Sequence, residues 1–425
     1  MPTYRYSRLL FASLAFAVPL GMASVCHAGA DDDALNLADA TPEVLARTSP
    51  WRISTEAGLA RTRQRYGLED YNSARLSLDL YYDAIVKPGL RLVFSDRIDR
   101  TNASGNTENK TVNSLKEAFF SWHPDGNLIG DIGRINARYG AAFGYNPTDF
   151  FHSSALRSIT SIDPNSLREN RLGTGMLRTQ ALLDGASITA IYAPKLASAP
   201  SDKPFSADFG ATNNRDRWLI AGSKQFSENF NPQLMLFGGA GQSVQAGVNL
   251  STLLNQATVG YVEWSGGMSQ SLYAEALGTN QAKSFRQRVA AGLTYTNAYK
   301  MSLTAELDYN GAGLGKNEWL ALAPTSPTNY LRYRTYAQDR LELPTRTALF
   351  LYGTWQNAFV NHLDLKAMVR LNLADRSRLN WIEARYHFTK VDLALQLQHN
   401  GGKAFSEYGA LPQRQKVQTT VTYYF

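Results

Sequence analysis

Eight charged residues lie close together around a long segment, residues 144–173, that has no clear strand pattern. A guanidinium presents a planar fork of donors that matches a carboxylate or a phosphate. The group therefore either binds an anion or forms ion pairs among its own members that fix the segment in place. Internal ion pairs are favoured for the members from residue 168 on, where the strand pattern resumes. Its members are Arg134, Arg138, Asp149, Arg157, Asp163, Arg168, Glu169 and Arg171.

Patterns that carry catalysis or bind metals are missing from the sequence. No GxSxG or HExxH motif occurs, and the six histidines have no metal-ligand spacing. His152 precedes Ser153, but adjacency does not establish a nucleophile–base pair. The basic residues (43 Lys+Arg against 36 Asp+Glu) are spread over alternating segments and do not cluster with aromatics. We therefore expect no enzyme activity, no metal, no cofactor and no nucleic-acid partner.

The N-terminus has the layout of a secretory signal peptide, residues 1–30. Arg5 and Arg8 precede an apolar stretch, which is followed by small residues and by Ala28 and Ala30. A membrane anchor is the alternative, but the stretch is short for a span of roughly 20 residues. A lipoprotein site at Cys26 would follow "ASV", which ends in a bulky residue. We predict a short periplasmic segment at 31–49 and one domain at 50–425.

The rest of the chain alternates apolar and polar residues with a period of two. In the final stretch, "KVQTTVTYYF", Val417, Val421 and Phe425 share one face, while Lys416 and Gln418 share the other. Such stretches run for about 9–12 residues, the length of a tilted strand that crosses a bilayer, whereas soluble strands average about five or six. A soluble sandwich is therefore disfavoured. We predict an all-β fold: a single transmembrane antiparallel β-barrel of about 18 strands.

The connections alternate between short and long, as in barrels whose long loops lie outside the cell. Long connections are predicted at 138–170, 194–214, 242–255, 310–344 and 401–413. A strand at 244–252 would put the loop 310–344 on the periplasmic side. We therefore predict a loop there and a strand at 269–278.

These features together resemble a Gram-negative outer-membrane porin, and "DIGRINARYG" at the end of the fifth strand is similar to the alginate-export-type eighteen-stranded channels. The resemblance implies a location in the outer membrane, in contact with its lipid. It also implies that the terminal aromatic, Phe425, is read by the barrel-assembly machinery.

The resemblance further implies that the third loop, 144–173, folds into the lumen and narrows it. The sequence agrees, because Phe150, Phe151 and Ile162, with Leu156 and Ile159, form an apolar side that an external loop would not need. Opposed charges on such a loop would create a selectivity filter. We also predict basic residues on the lumen wall: Arg91, Arg97, Arg288, Lys366, Arg370 and Arg385.

The excess of arginine inside the predicted barrel favours solutes that carry a carboxylate or a phosphate. We predict a channel through which small anionic solutes or sugar acids diffuse. Two alternatives stay open. One is an export conduit for an anionic exopolysaccharide, which the alginate-export resemblance implies, and the other is a structural barrel that sheathes partner proteins.

Overall fold

The computed structural model describes residues 49–104 and 110–425. The predicted signal peptide and nearly all of the predicted periplasmic segment lie outside the described residues.

The described chain folds into an antiparallel barrel of eighteen strands. Each strand pairs with the next one along the chain, and the last pairs with the first, so the sheet closes. The strands are β1 Trp51–Gln64, β2 Tyr71–Lys87, β3 Leu90–Ala103, β4 Lys110–Asp125, β5 Leu128–Ile135, β6 Thr174–Leu183, β7 Ala186–Ala193, β8 Arg217–Lys224, β9 Gln233–Gly239, β10 Gln242–Asn255, β11 Thr258–Ser269, β12 Ser284–Thr296, β13 Met301–Asn310, β14 Thr347–Trp355, β15 Leu363–Asn372, β16 Arg378–His387, β17 Val391–Gly401 and β18 Gln413–Tyr424.

The faces of the strands are inverted relative to a water-soluble protein. On β13, Leu303 and Leu307 are exposed, while Thr304, Glu306 and Asp308 between and beside them are buried. An exposed apolar face is stable against lipid, and a closed sheet leaves no unpaired backbone edge there. The alternation therefore gives a barrel with an apolar outside and a polar interior. Among the described helices, none has the length and apolar character needed to cross a membrane.

Short connections of two to eight residues follow the even-numbered strands and define one end of the barrel. The opposite end, here called the long-loop end, carries the connections 136–173, 194–216, 270–283, 311–346 and 402–412. The connection between β9 and β10 also lies at this end, but it is a turn of only two residues.

The region from 242 to 278 differs from the prediction. Residues 242–255 form strand β10, not a loop, and the predicted strand 269–278 contains a helix, Leu272–Leu277. The Ser271 hydroxyl accepts a hydrogen bond from the Ala274 N–H, and Gly278 ends the helix with φ 66°. These caps stabilise a helix where strand periodicity alone suggested a strand. One strand was missed and one added, so the count of eighteen was unaffected.

Five helices lie in the described loops: α1 Pro164–Glu169, α2 Phe209–Thr212, α3 Leu272–Leu277, α4 Lys316–Thr325 and α5 Pro327–Asp339. α1 has Asp163 at its N-cap, and no side-chain hydrogen bond caps it. Pro164 at its first position fixes a helical φ. α4 and α5 form the helical loop (311–346), which packs around buried Trp319 and Tyr333.

Candidate functional site: a loop across the barrel interior

The third loop, residues 136–173, reaches side chains on widely separated strands. The backbone N–H groups of residues 143–145 donate to Glu306 on β13. Gln418 Nε2 on β18 donates to the Thr160 carbonyl at 3.4 Å, and Arg157 Nη1 donates to the Asn113 carbonyl on β4 at 2.8 Å. Only a segment inside a closed barrel can contact the inner faces of strands so far apart around the wall, so the loop crosses the interior.

Two carboxylates of the wall hold the first part of this loop. Glu306 accepts hydrogen bonds from the N–H groups of Phe143, Gly144 and Tyr145 at 2.9–3.0 Å and from the Tyr261 hydroxyl at 2.7 Å. Glu263 on β11 accepts from the Ala142 N–H at 2.6 Å. Successive N–H groups that converge on one oxygen pair form an anion-binding concavity. The wall carboxylates therefore latch the loop backbone.

Two glycines allow this approach. Gly140 has φ +83°, and a Cβ added to it would collide with the Glu263 carboxylate. A Cβ on Gly144 would lie 2.6 Å from Phe350 Cβ and 2.9 Å from Glu306 Oε1. The sequence "GAAFG" thus carried a signal that we did not use: two glycines flanking a short run, next to wall strands with inward glutamates.

Most of the predicted apolar side of the loop packs against the wall. Phe150 stacks on Phe237 with ring centroids 4.6 Å apart, and Phe151 meets the same ring edge-on at 5.9 Å. Ile162 packs against a buried cluster that includes Trp381. Ile159 is different, because it is 59% exposed. The tip of the loop therefore projects into open space.

The third loop also contacts the helical loop at the long-loop end. The Tyr145 hydroxyl donates to Glu342 Oε2 at 2.6 Å, and the Ser154 N–H donates to the Asp339 carbonyl at 3.0 Å. His152 Nε2 lies 3.0 Å from the Arg340 carbonyl oxygen. The two loops together cover the same part of the barrel mouth.

Two of the predicted constriction arginines hold other loops. Arg157 donates to the carbonyls of Asn113, Ser201, Lys203 and Ser206 at 2.8–3.0 Å, and its Nε lies 3.4 Å from Asp208. These partners occupy both terminal nitrogens, so Arg157 ties the third loop to the connection 194–216.

Arg134 is also committed to that connection. It donates to the Ala207 carbonyl and, at 3.2 Å, to the Thr212 hydroxyl. Its guanidinium carbon lies 4.5 Å from the centre of the Phe209 ring. The side chain is buried, so the structure places it in the loop packing and not at the pore surface.

Asp149 and Arg171 form a buried ion pair within the third loop, with 2.6 Å between Arg171 Nη1 and Asp149 Oδ2. Burial raises the pKa of Asp149, but the charges of Arg171, His152 and Arg168 and the hydrogen bond from Arg171 together outweigh it, so that pKa lies below its ordinary value. Arg171 also donates to Asn136 Oδ1 and to the Ala137 carbonyl. The pair closes the base of the loop.

Asp163, Arg168 and Glu169 lie further along the loop. Asp163 is buried, accepts a hydrogen bond from the Tyr352 hydroxyl at 2.7 Å and lies 3.5 Å from Lys366 Nζ. Arg168 donates to the Gly140 carbonyl at 2.9 Å. Glu169 is exposed.

Arg138 has a different environment from the other arginines of the set. It is exposed, and it lines a cavity of about 520 Å³, here called the central cavity, between the third loop and the end of the barrel with the short connections. Glu117, Arg91 and Arg178 line the same cavity. Arg91 is paired with Asp83 at 2.6 Å and Arg178 with Asp131 at 2.7 Å. Arg138 is therefore the predicted constriction cation that the structure leaves facing the lumen most openly.

Two further cavities lie on either side of the exposed Ile159. One, of about 260 Å³, lies against β16–β18 and is lined by Gln396, Gln398 and Lys416. The other, of about 290 Å³, lies against β3 and β4 and is lined by Asp99 and Lys110. The loop tip thus separates these two cavities.

The six predicted wall cations all have partners. Arg91 pairs with Asp83, Arg288 with Glu342 at 3.1 Å and Arg385 with Glu383 at 3.1 Å. Lys366 lies near Asp163, and Arg370 donates to the Gly144 carbonyl at 2.9 Å. Arg97 belongs to a larger group of charged residues on β1–β4. Each therefore also holds the interior together.

Strands β1–β4 carry a balanced network, here called the wall cluster: Glu56, Arg75, Asp79, Arg97, Asp99 and Lys116. Arg97 lies 3.1 Å from Glu56, 3.7 Å from Asp79 and 3.0 Å from Asp99. Lys116 Nζ lies 2.7 Å from Asp79, and Arg75 pairs with Glu56. Three cations meet three carboxylates, so the cluster has no formal net charge.

Solved structures similar to this chain are outer-membrane channels. OccAB1 of Acinetobacter baumannii superposes with TM-score 0.56 at 9% identity, over 88% of this chain and 96% of its own. A BenF-like porin of Pseudomonas fluorescens gives 0.57 at 9% identity, over 89% and 98%. OccK2 (OpdF) of Pseudomonas aeruginosa, in complex with glucuronate, gives 0.54 at 9% identity, over 89% and 98%.

These likenesses establish the porin barrel fold. No family model matches the chain, and no curated protein matches its sequence. The structures named above are porins and Occ channels, so the narrower resemblance to alginate-export-type channels gains no support from them.

Proposed function

We propose that this protein is an outer-membrane channel through which small anionic solutes, including sugar acids, diffuse. The observation that carries the proposal is the pairing pattern inside the barrel: Arg138 opens into the central cavity and senses the Glu117 carboxylate only from beyond ion-pair distance, whereas Arg91 and Arg178 in the same cavity form ion pairs with Asp83 and Asp131. An open guanidinium in a narrow lumen attracts anions more strongly than charges at a wide mouth, because less water and salt screen it.

The apolar outer face and the C-terminal aromatic fit insertion into the outer membrane by the barrel-assembly machinery. The Phe425 side chain is 71% exposed beyond the end of β18, and its N–H donates to the Ile53 carbonyl at 3.1 Å. Its ring therefore stays accessible while its backbone is held. The glucuronate bound to OccK2 (OpdF) supports a sugar acid as the class of solute.

Ion selectivity in a planar bilayer tests the proposal. We expect single-channel currents in potassium chloride and, across a salt gradient, a reversal potential on the anion-selective side. In liposome swelling, sodium gluconate should enter faster than glucose. Cation selectivity, or equal entry of glucose and gluconate, would contradict the proposal.

The bilayer recordings and a secretion assay separate this function from the two alternatives. A polymer conduit needs a wide continuous lumen, whereas here the third loop and the helical loop cross or cover it. A barrel that sheathes partner proteins needs an interior free for them, yet this chain's own loop fills part of it. Absence of discrete conductance would favour the sheath, and loss of polysaccharide secretion in a deletion strain would favour export.

A further inference from the structure

A pocket of about 140 Å³ opens at the long-loop end, between the third loop, the helical loop and the wall of β8–β11. We call it the vestibule pocket. It lies on the opposite side of the third loop from the central cavity. The residues on which the binding site depends are His152, Arg215, Arg217, Gln242, Ser269 and Arg340.

The vestibule pocket holds arginines without carboxylate partners. Among the described residues, no carboxylate lies within ion-pair distance of Arg215, Arg217 or Arg340. Arg217 donates to the Thr212 carbonyl and Arg215 to Asn214 Oδ1. The sequence neighbour Asp216 instead accepts from the Lys195 N–H at 2.8 Å.

The carboxylates that line the pocket are engaged elsewhere. Asp149 pairs with Arg171, and Glu342 pairs with Arg288. Glu275 accepts a hydrogen bond from the Tyr336 hydroxyl at 2.8 Å. The Tyr336 hydrogen bond does not cancel the charge of Glu275, so the three arginines Arg215, Arg217 and Arg340 face one carboxylate that has no cation partner in the described part of the chain. The pocket lining therefore keeps an excess of positive charge.

Arg217 is the deepest of these cations. The residue is 7% exposed, and its guanidinium carbon lies 5.1 Å from the centre of the Phe151 ring. Its Nε is buried and has no hydrogen-bond partner. A buried donor without a partner is costly, and an anion that accepts from it would remove that cost.

Two more polar atoms of the same pocket lack partners. Gln242 Oε1 at the start of β10 and Ser269 Oγ at the end of β11 are both buried and make no hydrogen bond. Both can accept from a hydroxyl group. These three orphaned atoms belong to residues that line one small cavity; one is part of a guanidinium and the other two are acceptors. They match a ligand with a carboxylate at one end and hydroxyl groups next to it.

We propose that the vestibule pocket is a binding site for small hydroxy-carboxylates, with Arg217 receiving the carboxylate and Gln242 and Ser269 receiving the hydroxyl groups. The site would collect the solute at the mouth before the third loop. The inference rests on the proposed function for its setting, but binding can be measured apart from transport.

Glycerate and propionate are matched probes, because both are three-carbon acids and only glycerate carries hydroxyl groups. Ligand-observed NMR on the full chain, refolded in detergent, should give a lower Kd for glycerate. Arg217→Gln should weaken both acids about tenfold, since a charge-assisted hydrogen bond is lost. Arg63→Gln is the control: it removes an exposed arginine from the outer face of β1, which also carries exposed Leu59, and should change neither Kd.

The double variant Gln242→Ala/Ser269→Ala tests the hydroxyl part and does not depend on the folding of Arg217→Gln. Because neither polar atom has a partner, the double variant should fold normally. It should weaken glycerate severalfold and leave propionate unchanged. Heat-dependent gel mobility confirms that each variant forms the barrel.

Several outcomes would overturn the site. These are equal affinity of the wild type for the two acids, an unchanged Kd in folded Arg217→Gln, or an unchanged glycerate preference in the double variant. Binding of inorganic phosphate without glycerate would overturn the carboxylate assignment. If glycerate binding fails while anion selectivity persists, the vestibule site is wrong and the proposed channel function stands. If binding is intact but the channel selects cations, the vestibule site stands and the proposed channel function is wrong.

Discussion

The wall cluster and the vestibule pocket both concentrate arginines inside the same barrel, yet their charge balance is opposite. In the wall cluster, Arg97 has three carboxylates within 4 Å. In the vestibule pocket, Arg217 has none, and the neighbouring carboxylates are paired with other groups. The presence of an arginine in the lumen therefore does not tell whether it acts on a solute. Whether a carboxylate lies within ion-pair distance of the arginine decides whether it is free to bind a solute.

The two regions should respond to mutation in opposite ways. Removing one member of a buried, paired network leaves an uncompensated charge, which destabilises the fold. Removing a buried cation that has no carboxylate partner relieves a desolvation cost, so ligand binding should suffer more than stability. Stability and selectivity are thus the two readouts that separate paired from unpaired charges.

The largest effect should come from Glu306, the wall carboxylate that accepts hydrogen bonds from the backbone of the third loop. Glu306→Ala removes the acceptor of three loop N–H groups and of the Tyr261 hydroxyl. We expect the third loop to leave its position and single-channel conductance to rise severalfold. Glu169→Ala, which removes an exposed carboxylate of the same loop, is the control. Unchanged conductance in Glu306→Ala would show that the loop is held by other contacts.

The second effect concerns stability. Arg97→Gln breaks a buried network in which the arginine side chain is 10% exposed, and loss of one partner of such a network costs about 3–5 kcal/mol. We expect that loss of unfolding free energy in urea titrations of the barrel in lipid vesicles, with anion selectivity retained. Arg217→Gln should stay close to wild type in the same titration. Equal losses in the two variants would remove the distinction between the regions.

The sequence predicted the barrel well, because alternation, strand length and loop parity repeat along the whole chain. It predicted the charges inside less well. Arg97 and Arg157 could be named as interior cations, but their partners Asp99 and Asp208 follow from register and loop folding, which alternation does not fix. Arg217 was not singled out, because an arginine without a carboxylate partner looks like any other in sequence.

The region 242–278 shows the same limit for the fold. A tight turn at 240–241 and a helix capped by Ser271 and Gly278 exchange a strand for a loop without changing the strand count. The alternation of short and long connections does not reveal such an exchange, because the number of strands stays the same. Local capping signals would have located the helix.

A third, smaller effect sharpens the comparison within the original set of eight charges. Arg138 opens into the central cavity, whereas Arg157 has its donors occupied by loop carbonyls. Arg138→Glu should shift the reversal potential toward cations and leave thermal stability unchanged, since lumen substitutions tune selectivity. Arg157→Glu should instead destabilise the loops. Arg63→Glu, on the outer face, controls for net charge. If Arg157→Glu shifts ion selectivity without loss of stability, then the hydrogen-bond partners of an arginine do not determine whether it contributes to selectivity.

The smallest effect should come from Glu407, a carboxylate in the loop 402–412. Like the vestibule arginines, it has no oppositely charged group at ion-pair distance among the described residues. Its Oε2 accepts from Asn372 Nδ2 at 2.7 Å, and its N–H donates to Asp375 Oδ2 at 2.7 Å. Burial raises the pKa of Glu407 to about 7, although the Asn372 hydrogen bond works against the rise and the Asp375 charge adds to it.

The sign of the pH dependence follows from this raised pKa. The closed loop binds the proton more tightly than the open loop, in which the carboxyl titrates near its ordinary value of 4.5. Loop closure is therefore most stable below that value and weakens as the pH rises from there to about 7. Amide exchange of peptides from 402–412, corrected for intrinsic rates, should show more opening at pH 8 than at pH 5. Glu407→Gln should abolish the difference, while Glu69→Gln, an exposed carboxylate on another loop, should keep it. A pH dependence that persists in Glu407→Gln would assign it to another group and leave this carboxylate without a role in closure.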